Sequence, residues 1–247
     1  MTSGNQRSLA DAGPARGTTA GSTWLGQAGP RLALAAGATA LMGAVYGVTN
    51  HWMAWRGTTV WDASTLIRFA DGQTLDRWLP FVPWTITLYA SLVAWYVVPA
   101  VTVPAQRERD FAALYLGLLW LTAVAQVVFL LLPAEVKLRD QVWSGLTAPG
   151  TSTCWSAIYR GLYLLDCPFN SWPCLHTAQP LLIQLTLAHW HRQTHRLLTA
   201  AGWVWWGLLT VSILTTKQHY VWDVVTGIAL ALGTWYAYLR PRLAEPR

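Results

Sequence analysis

Charged residues are scarce in this 247-residue chain. Lys, Arg, Asp and Glu make up 11% of it, whereas roughly a quarter of the residues in a soluble domain are charged. Hydrophobic residues make up 53% and occur in long blocks. The low charge and the apolar blocks exclude an ordinary soluble domain and indicate a membrane protein. The net charge of +6 is therefore interpreted through membrane topology, and no nucleic-acid partner is expected.

Cysteine is also scarce. The three cysteines, Cys154, Cys167 and Cys174, all fall on the predicted outer side, where an oxidising environment permits one disulfide. We expect a Cys154–Cys167 pair or, as the alternative, three free thiols, since connectivity does not follow from sequence. The chain lacks a P-loop and an outer zinc-ligand spacing. His191 and His195 have the helical spacing of a metal pair but no carboxylate or thiol nearby, so no metal and no other cofactor is expected.

Six apolar runs follow the polar first 30 residues. A bilayer crossing takes about 20 residues, and most of the runs reach that length. They are Leu32–Asn50, Phe81–Val103, Phe111–Leu132, Leu175–Trp190, Leu197–Thr215 and Tyr220–Leu239. Only helices or closed barrels satisfy the backbone in lipid. The sequence therefore predicts an all-α polytopic membrane protein with six transmembrane helices in one bundle.

The distribution of charge predicts the orientation of these helices. With the N-terminus inside, the inner segments carry ten arginines against four carboxylates, and the outer segments carry seven basic against seven acidic side chains. Positive charge concentrates on the cytoplasmic side, so both termini are expected in the cytoplasm of a cell-membrane protein. We predict a disordered segment over residues 1–30, a membrane domain over 31–240 and a short cytoplasmic tail over 241–247.

Two outer stretches place polar side chains at the start of apolar runs. They are "SWPCLHTAQP" at Ser171–Pro180 and "TKQHYVWDVV" at Thr216–Val225. His219 and Asp223 are four residues apart, so on a helix they share a face. A carboxylate there can orient the imidazole and stabilise its cation. His176 opens a different helix on the same predicted side.

Cationic side chains lie on that side as well, namely Lys137, Arg139 and Lys217. With the free N–H groups of a helix that begins near Pro173, they indicate an anion site. Two histidines, a carboxylate and cations suit phosphoryl transfer without a metal. A lone His-x-x-x-Asp is often only a local hydrogen bond. Here a second histidine-bearing stretch, Pro-x-x-His, comes earlier in the chain and lies on the same predicted side of the membrane, which favours a functional site.

The paired stretches resemble the type 2 phosphatidic acid phosphatase superfamily of membrane phosphatases and phosphotransferases. That family carries Pro-Ser-Gly-His and a later His-x-x-x-Asp, which correspond here to Pro173–His176 and His219–Asp223. The resemblance extends over about Trp84–Tyr238. It implies a phosphohistidine mechanism, with His219 as nucleophile, Asp223 as its orienting acid and His176 as general acid.

The chain departs from the family pattern at three phosphate-binding places. Lys137 and Arg139 stand where the family pairs a lysine with a later Arg-Pro, and Arg139 is the better match. Ser212 is followed by isoleucine where the family has arginine, and Lys217 is the candidate replacement. Cys174 replaces a serine that helps to bind phosphate, and sulfur is a weaker hydrogen-bond partner.

Three short sequence features resemble the branch that contains inositol phosphorylceramide synthase. They are the leucine before His176, "KQHYVWD" and "PFVPW" at Pro80–Trp84. Three hypotheses follow. The protein is a phosphatase of phosphatidate or a polyprenyl diphosphate, a headgroup phosphotransferase that uses a polyol or other alcohol acceptor, or a non-catalytic membrane protein of the same fold. The expected partners are a lipid phosphate or phospholipid and the surrounding membrane lipids.

Overall fold

The computed structural model describes residues 25, 27–62, 66–104 and 107–243. Nearly all of the predicted disordered segment 1–30, and the end of the predicted tail 241–247, lie outside the described residues.

The described residues form helices and two isolated bridges. The α-helices are α1 (Ala28–Arg56), α2 (Leu75–Trp78), α3 (Ile86–Ala90), α4 (Leu92–Thr102), α5 (Glu108–Leu131), α6 (Arg139–Leu146), α7 (Thr153–Leu165), α8 (Leu175–His191), α9 (Arg196–Thr215) and α10 (Val221–Thr234). A 3-10 turn, Pro83–Thr85, precedes α3. A π-helical turn, Trp235–Leu239, extends α10.

Each predicted apolar run coincides with a helix or a pair of consecutive helices, so the all-α fold class is confirmed. Among the described residues, four helical segments are long and apolar enough to cross a membrane: Ala28–Arg56, Pro83–Thr102, Glu108–Leu131 and Arg196–Thr215. The fourth predicted run forms the 17-residue α8, and the sixth forms α10 with its π-helical turn. The six crossings and their orientation stay predictions.

Large apolar side chains project from these helices. Val48, Leu131 and Leu197 are 71%, 69% and 88% exposed. A soluble monomer rarely exposes an apolar surface of this extent. Such a surface is typical of helices whose outer faces contact lipid tails.

Helix α8 lies at the centre of the bundle, where it packs against α4, α5, α9 and α10. Its side chains are buried on every face, including Thr177, Leu182 and Gln184. A helix with buried side chains on every face lies in the interior of a bundle. Both histidine-bearing stretches therefore converge on one helix, because α8 begins with the first stretch and packs against α10, which begins with the second.

Short segments close over the start of α10. The side chain of Asp76 in α2 accepts a hydrogen bond from the backbone N–H of Val221 at 2.7 Å. The Lys217 ammonium donates to the carbonyls of Asp76, at 2.7 Å, and Leu79. Lys217 itself has a left-handed backbone, with φ of 60°. These contacts hold the turn between α9 and α10 in place beneath residues 74–79.

Candidate active site

His176 and His219 contact each other directly. Nδ1 of His176 lies 3.0 Å from Nε2 of His219. His176 is in the first turn of α8, and His219 is in the turn before α10. The two residues are 43 positions apart in sequence, and packing of α8 against α10 brings them together.

The environment of His219 determines which of its ring nitrogens carries a proton. Nδ1 lies 2.9 Å from the carbonyl oxygen of Ser171 and 3.4 Å from Oδ2 of Asp223. Both oxygens accept hydrogen bonds, so Nδ1 is the protonated nitrogen. In the neutral ring Nε2 then keeps its lone pair, which points towards His176. This is the tautomer that a nucleophilic histidine needs.

The same reasoning assigns the tautomer of the His176 ring. Since Nε2 of His219 accepts, Nδ1–H of His176 donates to it. Nε2 of His176 is then the acceptor for the hydroxyl of Tyr89, at 3.0 Å. A continuous chain of hydrogen bonds runs from Tyr89 through both histidines to Ser171. It leaves a protonated nitrogen of His176 beside the lone pair of His219, which is the arrangement that a proton donor and a nucleophile need.

Asp223 is completely buried and has two roles. Its Oδ2 contacts His219 and also accepts from the backbone N–H of Tyr220 at 3.0 Å, which caps α10. Its Oδ1 has no hydrogen-bond partner among the described residues. A buried carboxylate with an unpaired oxygen attracts positive charge. Asp223 therefore stabilises the cationic form of His219.

A glycine permits the close approach of α8 and α10. A Cβ atom at Gly227 would lie 2.5 Å from the carbonyl oxygen of Cys174. The backbone N–H of Cys174 donates to the carbonyl of Asp223 at 3.0 Å. The two helix starts are therefore joined by backbone contacts, which fixes the separation of the two histidines.

A small pocket opens beside His219. Its lining includes Tyr46, Arg139, Asp166 and Lys217. The cavity of about 10 Å³ has room for about one water molecule. A phosphoryl group would have to displace the side chains around it and separate the two histidines.

The two cations of the pocket are held differently. Nη2 of Arg139 donates to the carbonyl of Asp166 at 2.6 Å, and its guanidinium lies 3.9 Å from the centre of the Tyr163 ring. Lys217 is 1% exposed, and burial lowers its pKa to about 8, although nearby Asp76 opposes the shift. The structure thus brings two of the predicted phosphate-binding residues, Arg139 and Lys217, to the pocket beside His219.

The other two predicted phosphate-binding residues lie elsewhere. The Lys137 side chain is exposed and does not line the pocket, and only its backbone N–H contributes, by donating to the Tyr220 hydroxyl at 2.8 Å. Cys174 is fully buried. Its Sγ lies 3.5 Å from Thr177 Oγ1 and within 4.8 Å of a ring nitrogen of His219. Cys174 thus faces the histidines from the protein interior.

The protonation of His219 depends on opposing effects. Burial lowers its pKa, but the Cys174 and Asp223 side chains raise it, and the net pKa lies well above the ordinary value. Burial also raises the pKa of Asp166, against the hydrogen bond that it accepts from Tyr46 at 3.0 Å.

Several site residues were not predicted from the sequence. They are Tyr89, Tyr46, Asp166, the carbonyl of Ser171, and Asn50, which is fully buried and bonds the backbone of residues 167 and 169 through its side chain at 2.7–2.9 Å. Asn50 carried a signal, because a polar amide at the end of an apolar run usually has a buried partner. A backbone carbonyl such as that of Ser171 gives no signal.

The preferred disulfide was wrong. Cys154, Cys167 and Cys174 are all free thiols. Cys154 lies at the start of α7 and Cys167 just beyond its end. A helix rises 1.5 Å per residue, which separates the two by about 20 Å, whereas a disulfide needs Cα atoms within about 7 Å.

A helical protein with several apolar, membrane-length helices and a buried His–His–Asp cluster beside a cationic pocket fits the class of helical membrane phosphatases and phosphotransferases. The family model of the PAP2 superfamily matches residues 73–237, which is more than half of the chain. The chain belongs to the PAP2 superfamily. Membership suggests phosphatase-type activity.

No curated protein and no solved structure matches this chain. The resemblance to the inositol phosphorylceramide synthase-like branch is not confirmed by the family match and stays a prediction.

Proposed function

We propose that the protein is a membrane enzyme that cleaves or transfers a phosphoester of a lipid through a phosphohistidine at His219. One observation carries the proposal. Nδ1 of His219 is committed to Ser171 and Asp223, so the lone pair of Nε2 faces His176 at the edge of a pocket that contains Arg139 and Lys217.

In the first step the phosphoryl group enters between the two histidines. Nε2 of His219 attacks phosphorus, and the bond from phosphorus to the leaving oxygen breaks. With a phosphate anion bound beside it, His176 enters this step as the imidazolium, gives its Nδ1 proton to that oxygen and becomes the neutral ring. Arg139 and Lys217 stabilise the charge that develops on the other phosphoryl oxygens. The carboxylate of Asp223 compensates the positive charge that forms on the imidazole of His219.

In the second step His176 acts as a base. A water or alcohol oxygen attacks phosphorus and gives its proton to Nδ1 of His176. The bond from phosphorus to Nε2 breaks, and the electron pair returns to His219. Water as acceptor gives free phosphate or a phosphomonoester, and an alcohol as acceptor gives a new phosphoester. Neither route consumes a cofactor.

A second cavity supports a lipid substrate. It has a volume of about 190 Å³, lies between α1, α4 and α8, and is lined by mainly apolar side chains that include Met42, Leu92 and Leu175. His176 lines this cavity, and Tyr46 lines both cavities. An acyl or prenyl chain in the apolar cavity would place its phosphate at the histidine pair.

The charge distribution supports an extracytoplasmic site. The site lies at the ends of α1 and α9 and the starts of α8 and α10. These ends carry the loops with no net charge, whereas the opposite ends carry the arginine excess. We therefore place the phosphoryl chemistry at the outer face, with both termini in the cytoplasm.

The position of Asp166 favours a headgroup phosphotransferase as the second candidate. Its carboxylate lines the pocket beside Arg139. A carboxylate there repels a phosphomonoester dianion more than a phosphodiester monoanion, and it can accept hydrogen bonds from the hydroxyls of a polyol. Inositol is the acceptor that the predicted branch implies.

The test uses purified wild-type protein and the His219→Ala variant in lipid nanodiscs. Each receives phosphatidate, a polyprenyl diphosphate or phosphatidylinositol, with and without a polyol acceptor, and products are identified by mass spectrometry. Phosphate release by the wild type alone supports a phosphatase. A phosphorylated acceptor or exchanged headgroup, with little free phosphate, supports the transferase. Equal products from both proteins would contradict the role of His219, and absence of product from every donor would favour the non-catalytic reading.

A further inference from the structure

Three potential metal ligands meet at the centre of the candidate site. The donor atoms of Cys174, His176 and His219 all lie within 4.8 Å of one another. Cys174 is 0% and His219 is 3% exposed. A thiolate and two imidazoles are the ligands that zinc prefers in proteins. The sequence predicted no such site because the ligands come from two helices and have no recognisable spacing.

The separations fit one tetrahedral ion. Zinc–nitrogen bonds of about 2.0–2.1 Å place two imidazole nitrogens roughly 3.3 Å apart. Nδ1 of His176 and Nε2 of His219 are already 3.0 Å apart. To bind one ion, the two nitrogens would move apart by a few tenths of an ångström and both rings would tilt so that their lone pairs converge. The sulfur of Cys174, within 4.8 Å of both nitrogens, would complete the set of three ligands.

The surroundings of the three ligands also suit a cation. Histidines that bind a metal usually donate their other N–H to a carboxylate or a carbonyl, and Nδ1–H of His219 already does so to Ser171 and Asp223. Oδ1 of Asp223 has no hydrogen-bond partner among the residues that the structure describes. This buried carboxylate would compensate the charge of a bound ion.

We propose that Cys174, His176 and His219 bind one Zn²⁺ ion and that the bound ion inhibits phosphoryl transfer. The inhibitory part rests on the proposed function. The lone pair on Nε2 of His219 cannot bind zinc and attack phosphorus at once, and metal-bound Nδ1 of His176 has no proton to donate. Binding releases the thiol proton of Cys174, whereas the proton of neutral His176 moves from Nδ1 to Nε2, so zinc binds with the loss of one proton.

The replacement of serine by Cys174 makes this chain sensitive to zinc. A serine hydroxyl at that position would be a weak zinc ligand, whereas a thiolate is a strong one. Cys174→Ser should therefore weaken zinc binding by at least about tenfold while both histidines remain.

Cobalt provides a readout that does not depend on activity. Co²⁺ is added to the metal-free Cys154→Ser/Cys167→Ser variant in nanodiscs, in which Cys174 is the remaining thiol. We expect a near-ultraviolet thiolate-to-cobalt absorption band that saturates at one equivalent and that Zn²⁺ abolishes. The band should be absent when Cys174→Ser is added. Because the first variant alone assigns the thiolate, the test survives a failure of the triple variant to fold.

Activity separates the two parts of the proposal. If wild-type enzyme turns over, Zn²⁺ should inhibit it, and the concentration for half inhibition should rise at least about tenfold in Cys174→Ser, with excess chelator restoring the rate. Absence of the cobalt band contradicts the metal site even if the enzyme is active. A cobalt band in a protein with no His219-dependent activity supports the site and contradicts the proposed function instead. A cobalt band without inhibition contradicts the inhibitory role.

Discussion

Each end of α8 carries a histidine, but the environments differ. At the N-terminal end, half-buried His176 has hydrogen-bond partners on both ring nitrogens, Tyr89 and His219. At the C-terminal end, His191 is buried and its Nε2 has no partner among the described residues. His191 borders a mainly apolar cavity of about 380 Å³ between α4, α8 and α9.

In the proposed mechanism, a catalytic histidine requires more than burial. Fixed partners assign a tautomer to each ring of the His176–His219 pair, so that one nitrogen can attack and another can donate. Within the part of the chain that the structure describes, the ring of His195 lies 5.5 Å from that of His191, but His191 has no carboxylate partner and borders no charged pocket. Burial of a histidine alone is therefore a poor indicator of function, whereas a complete hydrogen-bond chain is a good one.

The largest expected effect is on the rate of phosphoryl transfer, and it distinguishes the histidine pair at the start of α8 from His191 at its end. His219→Ala should lower the phosphoryl-transfer rate by more than about 10⁴-fold, because it removes the nucleophile. His191→Ala, the matched control at the C-terminal end of α8, should keep the rate within about threefold, since His191 does not line the pocket beside His219. Rates are measured in nanodiscs with protein amounts matched by chromatography. Similar losses in both variants would contradict the assignment of the site.

The next prediction concerns Asp223, the carboxylate beside His219. Asp223→Asn should lower the rate by about 10²–10⁴-fold, because the amide no longer stabilises cationic His219. His219 must lose its proton from Nε2 to attack, so the rate rises as pH passes upward through its raised pKa. The variant lowers that pKa, and the rising limb should move to lower pH.

The pH–rate profile of both proteins measures this shift. A lower rate with an unmoved rising limb would mean that Asp223 acts only by capping α10.

Helix spacing provides a third comparison within α10. Gly227→Ala should force α10 away from the Cys174 carbonyl, at a cost of about 1–3 kcal/mol in stability. Displacing the histidines should also lower the rate by about tenfold or more. A Cβ at Gly233 in the same helix meets nothing within 4 Å, so Gly233→Ala should leave stability unchanged or raise it by up to about 1 kcal/mol. Thermal unfolding and rate are both measured, and equal effects of the two substitutions would count against the close helix contact.

The smallest effect concerns the pocket cations. Lys217→Met should raise KM by about tenfold, because a phosphate contact is lost, whereas Lys137→Met should leave KM nearly unchanged, since its side chain is exposed. The lowered pKa of Lys217, about 8, means that its charge is present below that pH and is lost above it. KM of the wild type should therefore rise as pH passes 8, and the Lys217→Met profile should lack this rise.

Much of the fold followed from the sequence, because long apolar runs allow few alternatives. The start of α8 at Leu175 and the end of α9 at Thr215 agree with the predicted runs. The helices α6 and α7 did not emerge, since polar and aromatic residues alternate there without a long apolar block. The side chains of His176, His219 and Asp223 were predicted as a cluster from their order and shared side, and the structure brings them together.

The remainder depends on tertiary contacts that local sequence does not record. The Ser171 carbonyl orients His219, and Tyr89 orients His176, across 48 and 87 positions of the chain. Cys174 was expected to bind phosphate, but the rotation of α8 turns its sulfur into the interior, beside Thr177 and His219. The position of a helix start in the sequence indicates which residues lie near the pocket. Tertiary packing then determines which of their side chains face the pocket.

The central claim is a covalent bond between phosphorus and His219. Wild-type protein is mixed with a phosphorus-32-labelled lipid substrate and quenched within milliseconds in alkali, which preserves phosphohistidine. The account predicts a labelled, acid-labile adduct that forms and decays at the rate of turnover, and mass spectrometry should locate it on His219. Turnover with no labelled protein, or with the label on another residue, would contradict the account.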